Sequence, residues 1–197
     1  LIYSKLEEAA GIYTGDGVIE QADTTFRTTV HELAHSWEDG IPKEIKEIFD
    51  NISWEKANLR DVNNDFFAMP YGMTDREEDL ATMFEEYITN GPLLRERIRM
   101  SMKIGKFEIT AKYLFVKYVM LKDYDGKFFE YQIDDESLPI TIDEVESAIK
   151  ESNIRIPEHI LETIRKIKEL AYSGEIYGSL DNAIEGFKSL AVTQCAI

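Results

Sequence analysis

Residues 31 to 35 read His-Glu-Leu-Ala-His, and this spacing constrains the fold more than any other feature of the chain. On an α-helix, side chains four residues apart project from one face, a turn from each other. Two imidazoles so arranged can hold one metal ion together. A glutamate between them lies within the same arc, where its carboxylate can take a proton from a water activated by that ion. The chain has only three histidines, and two of them occupy this pattern. HExxH on a helix therefore points to metal-assisted hydrolysis, with His31 and His35 as ligands and Glu32 as general base.

Length and composition set the frame for that chemistry. At 197 residues the chain suits one domain of ordinary size with a smaller appendage, and a hydrophobic fraction of 44% suffices for a real core. The 22 basic and 38 acidic side chains give a net charge of −16, which repels nucleic-acid backbones and anionic membrane surfaces and favours neither as partner. Cys195 is the only cysteine, so neither an intrachain disulfide framework nor a thiolate zinc site is expected. The most apolar stretch, Tyr113 to Leu121, is short and carries Lys117, which argues against a membrane span. No signal peptide is visible, and the chain begins at Leu1 without a methionine, as an excised or processed piece would.

Along the chain, Gly11 to Glu20 reads as two short extended pieces around the Gly15-Asp16-Gly17 turn, and a strand near Tyr13 to Glu20 is a candidate sheet edge for an extended peptide. Asp23 or Thr24 can cap the helix that carries HExxH. Phe26, Val30, Leu33, Ala34 and Trp37 make its apolar stripe and leave His31, Glu32 and His35 on a face free to line a cleft. Gly40 and Pro42 end it. Residues 43 to 70 mix short helical patterns with polar turns. A second helix is predicted from Thr74, where Thr74 and Glu77 have capping-box spacing, to about Thr89, with Leu80, Met83, Phe84, Tyr87 and Ile88 as its buried stripe. Further helix is predicted from Leu93 to Tyr118. Asp125-Gly126 signals a hairpin, and a small helical group follows Pro139, with a capping box at Thr141 and Glu144 and a core stripe through Ile160, Ile164 and Ile167. His159 reads as an ordinary surface or cap residue, and Glu38 and Asp39 as solvated charges at a helix end.

Two histidines do not complete a catalytic zinc site, which needs a third protein ligand and an open position. With no other histidine close in sequence, that ligand should be a carboxylate, and the acidic helix from Thr74 offers Glu77, Glu78, Asp79, Glu85 and Glu86. Periodicity alone does not choose among them. Glu78 does project away from the Leu80/Phe84/Tyr87 stripe, together with Thr82 and Glu85.

The stretch from Tyr71 to Phe84, Tyr-Gly-Met-Thr-Asp-Arg-Glu-Glu-Asp-Leu-Ala-Thr-Met-Phe, resembles the corresponding region of the catalytic domain of anthrax lethal factor and its bacterial relatives. Those proteins are gluzincin-type zincins, with HExxH on one helix and a glutamate ligand on a later one. In them a tyrosine-glycine pair stands seven residues ahead of the ligand, and here Tyr71 stands seven before Glu78. The separation of His35 from Glu78 is also similar to the family's. The resemblance implies Glu78 as third zinc ligand and Tyr71 as the tyrosine that stabilises the transition state. It covers about Ile12 to Tyr87, fades towards Tyr118, and leaves residues 123–197 without a counterpart. One departure stands out: the family's second glutamate, four residues after the ligand, is Thr82 here.

The resulting expectation is an α+β zincin-like metallopeptidase domain over residues 1–122, mostly helical with a small sheet, followed by a hairpin and helical region over 123–197. One Zn²⁺ ion bound by His31, His35 and Glu78, with Glu32 and Tyr71 as catalytic groups, would hydrolyse a peptide bond. A protein or peptide substrate and a secreted or delivered effector follow from the resemblance; the residues themselves speak only for metal-assisted hydrolysis. The rival readings are a non-catalytic zinc-binding interaction module, a regulatory peptidase that cleaves one intracellular repressor, and a purely structural acidic interaction protein.

Overall fold

A computed structural model describes residues 11–13, 19–21, 25–54, 64–122 and 139–177, and within them the chain is helical. Seven α-helices build the fold among the described residues, which corrects the expected α+β architecture. Extended backbone among the described residues amounts to Gly11–Tyr13 (β1) and Ile19–Gln21 (β2), paired antiparallel with Ile12 opposite Glu20. Two strands of three residues offer no face wide enough to serve as a layer of a core. The Gly15-Asp16-Gly17 signal lies outside the described residues, and a local signal of that kind carries no information about whether further strands join a sheet. The expected peptide-binding edge near Tyr13 to Glu20 falls partly on residues outside the described ones, as do Asp23, Thr24 and the Asp125-Gly126 hairpin.

Helix α1 spans Phe26–Asp39. Its N-cap is Thr25, whose side chain accepts from the Thr28 amide at 3.2 Å. Gly40 closes its other end, and Val30, Ala34 and Trp37 bury one face. Phe26, expected in that stripe, is 68% exposed because it precedes the first turn that packs. After Pro42, α2 runs over Lys43–Ser53 as one regular helix with Ile45, Ile48, Phe49 and Ile52 inward, where the sequence suggested only short helical pieces.

A 3₁₀ turn over Pro70–Met73 leads into α3, Arg76–Thr89. The cap of α3 is Asp75, which accepts from the Glu78 amide at 2.9 Å, and not Thr74, whose amide closes the preceding turn on the Tyr71 carbonyl. The cap foreseen at Thr74 is therefore taken one residue later by Asp75, and the Glu78 carboxylate faces His31 and Tyr71 rather than closing a capping box. Gly72 lies so close to α3 that a Cβ there would meet the Thr82 hydroxyl at 2.5 Å, which explains a glycine in that turn. Helix α3 is buried on almost every side from Asp79 to Tyr87, as befits the central element.

Helices α4 (Gly91–Lys103) and α5 (Glu108–Phe115) are separate where one helical stretch was expected. Gly105 adopts φ 74°, and the amides of Gly105 and Lys106 return to the carbonyls of Met102 and Ser101, the pattern of a Schellman stop. A π-helical turn, Val116–Met120, extends α5 within the core. Lys117 in this apolar stretch donates to the Ile140 carbonyl at 3.1 Å, and no helix among the described residues is long and apolar enough to cross a membrane. Helix α6 (Ile142–Glu151) has the cap read from sequence, Thr141 accepting from the Glu144 amide at 3.1 Å. It packs on α4, and α7 (Glu158–Tyr172) packs on α2 and α5, so Ile160, Ile164 and Ile167 share one apolar cluster with Phe49 and Phe115.

Inside this cluster lies a charge pair. Lys112 of α5 reaches both Asp79 oxygens of α3, at 2.7 and 2.9 Å, with both side chains fully buried. The Trp54 indole donates to the same carboxylate at 2.9 Å, and the ammonium sits 4.0 Å from the centre of the Phe67 ring. Burial pushes the Asp79 carboxyl up and the Lys112 ammonium down, and their mutual contact opposes both shifts. Removing one partner would strand the other charge in an apolar interior. Lys112→Met is expected to lower stability by about 3–5 kcal/mol, read from chemical denaturation; an unshifted midpoint would show that Asp79 accommodates its loss by taking up a proton at little cost.

Candidate metal centre

The seam between α1 and α3 brings the sequence-predicted residues to one place. His31 and His35 leave α1 one turn apart, their rings 5.0 Å apart and edge to face. From α3, one Glu78 oxygen stands 2.9 Å from His31 Nε2 and 3.7 Å from His35 Nε2. The three donor atoms lie within 4.8 Å of one another, the one such group of three among the described residues. Ligand atoms around a tetrahedral zinc at about 2.0–2.2 Å stand roughly 3.3–3.5 Å apart. The two Glu78–imidazole separations bracket that value, and two imidazole nitrogens with one carboxylate oxygen form a donor set that zinc accepts. The residues present therefore fit the metal.

The same contacts set the titration of these groups in the metal-free protein. Burial alone would lower the His31 imidazole, but hydrogen bonds to Glu78 and Glu85 outweigh it and raise it to about 9. Burial would raise the Glu78 carboxyl, and its contacts with His31 and His35 instead bring it down to about 2. A proton on His31 thus holds this donor set together in the metal-free protein, and a divalent cation would have to displace it from the nitrogen it binds.

Tyr71 approaches from the Pro70–Met73 turn. Its hydroxyl donates to the second Glu78 oxygen at 3.2 Å, and its ring centre lies 5.9 Å from that of His31. Burial, then the Glu78 charge, and to a smaller degree Glu32 raise the phenol above its ordinary value, so it remains a donor near neutrality. Half of the Tyr71 side is open to solvent, at 53% exposure, whereas Glu32 is buried at 5%. The face expected to lie free along a cleft is instead largely covered, because α3 packs directly on it.

Among the other carboxylates considered as third ligand, Glu77 is exposed, Asp79 is committed to Lys112, and Glu86 is bound to Arg27 and Asn90. Glu85 faces the opposite nitrogen of His31: its Oε2 lies 3.0 Å from Nδ1, while its Oε1 meets Arg27 Nε. Neither Arg27 nor this contact of Glu85 is among the site residues that the motif spacing predicts. Helical spacing could have shown both, since Arg27 precedes His31 by four residues and Glu85 follows Glu78 by seven. Glu38, read as a solvated charge, is buried with its carboxyl pushed up to about 7 by that burial, and Lys46 lies 3.7 Å away. Asp39 is exposed, as expected. His159 is half-buried at the start of α7, with a buried Nε2 that has no hydrogen-bond partner, and it belongs to no ligand group.

No family model, curated protein or solved structure matches this chain.

The cluster predicts a specific pH profile for the metal-free protein. His31 has a raised value, so its contribution to stability is complete below about 6.5 and is lost as pH rises through about 9. Glu78 has a lowered value, so its contribution is present above about 4.5 and is lost as pH falls towards about 2. Thermal melting in chelator should show wild-type stability falling on both sides of a plateau between about pH 4.5 and 6.5. His31→Asn should flatten the alkaline limb and Glu78→Gln the acid limb; unaltered limbs would mean the coupling of these groups is absent in solution.

Proposed function

We propose that this protein is a zinc-dependent endopeptidase that uses His31, His35 and Glu78 as metal ligands. The observation that carries the reading is the convergence of these three donors, from two helices, within 4.8 Å. A zinc ion bound there would lower the pKa of a coordinated water to about 7 and polarise a carbonyl group. Glu32, next to His31 and buried beside the cluster, takes the proton of the attacking water and hands it to the leaving amine, acting first as base and then as acid. Tyr71 keeps its proton near neutral pH and donates a hydrogen bond to the oxygen on which negative charge develops, turning from its present partner Glu78 to the substrate. A peptide or protein substrate rests on the resemblance of the Tyr71–Phe84 segment to the lethal-factor-like catalytic domains; the cluster itself supports hydrolysis in general.

Three variants separate the roles. Glu32→Gln should abolish cleavage of a peptide library while zinc content stays at the wild-type level, because Glu32 carries protons and binds no metal. Glu78→Ala should lose zinc, with affinity down by at least ~10-fold. A Glu32→Gln protein that retains activity sinks the mechanism, and one that loses its zinc moves Glu32 into the ligand set.

Tyr71→Phe should cut kcat by roughly a hundredfold or more with KM little changed, as for loss of one oxyanion donor. An unchanged rate would reduce Tyr71 to a packing residue of the Pro70–Met73 turn.

A further inference from the structure

We infer that Glu85, held by Arg27, is the positioning residue that fixes the His31 ring for metal binding. This rests on the metal-centre reading above and adds to it a role for two residues outside the ligand set.

A histidine can bind a metal through Nε2 only if its remaining proton sits on Nδ1, and a carboxylate that accepts from Nδ1–H selects that tautomer and sets the ring plane. Glu85 Oε2 stands 3.0 Å from His31 Nδ1, while Nε2 points at Glu78 from the other side. The Glu85 side chain is 8% exposed and its other oxygen is taken by Arg27, so the carboxylate has little freedom to turn away. Arg27 forks further to Glu86, and its Nη2 lies 2.7 Å from the Met69 sulfur, which ties the guanidinium to the chain just before the Tyr71 turn. Arg27 and His31 are one turn apart on α1; Glu78 and Glu85 are two turns apart on α3. The result is a ladder across the seam in the order Arg27, Glu85, His31, Glu78.

Position 82 lies between the two glutamates of α3 and cannot supply this contact. Thr82 is 1% exposed, its hydroxyl donates to the Asp79 carbonyl at 3.2 Å, and it faces the Gly72 backbone at the close approach described above. The carboxylate of this helix that supports the His31 ring is therefore Glu85, and Arg27 supplies the charge that keeps it oriented.

The test uses the full chain and metal binding, not peptidase activity. Zinc affinity by competition with a chromophoric chelator should fall 10–100-fold in Glu85→Ala, and less in Arg27→Met. The visible spectrum of the cobalt-substituted protein should shift in Glu85→Ala as the His31 ring reorients. In the metal-loaded wild type, the His31 Nδ1–H should give a slowly exchanging imidazole proton resonance that Glu85→Ala lacks. Should Glu85→Ala fail to fold, Glu85→Gln keeps the packing and an acceptor but drops the charge that Arg27 grips, and it should show the same spectral shift with a smaller loss of affinity. Wild-type zinc affinity, cobalt spectrum and Nδ1–H signal in a folded Glu85 variant overturn the inference while leaving the metal centre intact. A wild-type chain that binds no zinc overturns the metal centre itself, and this inference with it.

Discussion

The contact between Lys112 and Asp79 anchors the rest of the molecule. It joins the central helix α3 to α5 in a place without water, where each charge is tolerable only because the other is there. Its position matters as much as its strength. Asp79 adjoins Glu78, so pinning Asp79 to Lys112 and to the Trp54 indole sets the rotation of α3 about its axis. One residue earlier along the helix, and about 100° around it, Glu78 then points across the seam to the histidines. A hydrophobic residue at 79 would bury more comfortably but would leave that rotation to generic packing.

The seam between α1 and α3 has the opposite character. Glu78, Glu85 and Glu86 converge there from one helix in a chain that already carries a net charge of −16, and such crowding is tolerated only with cations interleaved. Arg27 answers Glu85 and Glu86, and His31 answers Glu78 and Glu85. The excess of acidic oxygen facing two imidazoles suits a divalent cation, whose charge would exceed that of the proton it displaces. The same acidity accounts for the opposed titration of His31 and Glu78, each drawn towards its charged form by the other.

How much of this could be read in advance depended on the range of the interactions involved. HExxH and its helix were legible because i to i+4 geometry is local. The stripe Leu80, Met83, Phe84, Tyr87 was legible for the same reason, as was the Thr141 cap. The α+β expectation failed because a turn signal between residues 11 and 20 says nothing about sheet partners, and the described chain supplies only β1 and β2. The Leu93–Tyr118 helix broke at Gly105, where a left-handed residue and two returning amides stop α4. The partner of Lys112 joins residues far apart in the chain, and no local pattern contains it; helical spacing marks Glu85 as sharing the face of Glu78 but does not say which nitrogen of His31 it meets.

By itself the sequence determined a helix able to present two imidazoles and a carboxylate on one face, a second acidic helix with a buried stripe, and a set of carboxylates on it that could approach the histidines. Local periodicity suffices for that, because helix geometry is the same wherever the helix sits. Only the tertiary structure decided which glutamate meets the histidines, since that choice depends on the rotation and register of α3 against α1. Those are set by the Asp79–Lys112 pair, by the Asp75 cap and by the close approach of Gly72 to Thr82. Tertiary packing also separated the two glutamates that share one face of α3, turning Glu78 towards Nε2 and Glu85 towards Nδ1 of the same ring. Neighbours on a helix face are equivalent in sequence; they become different only when a partner helix crosses between them.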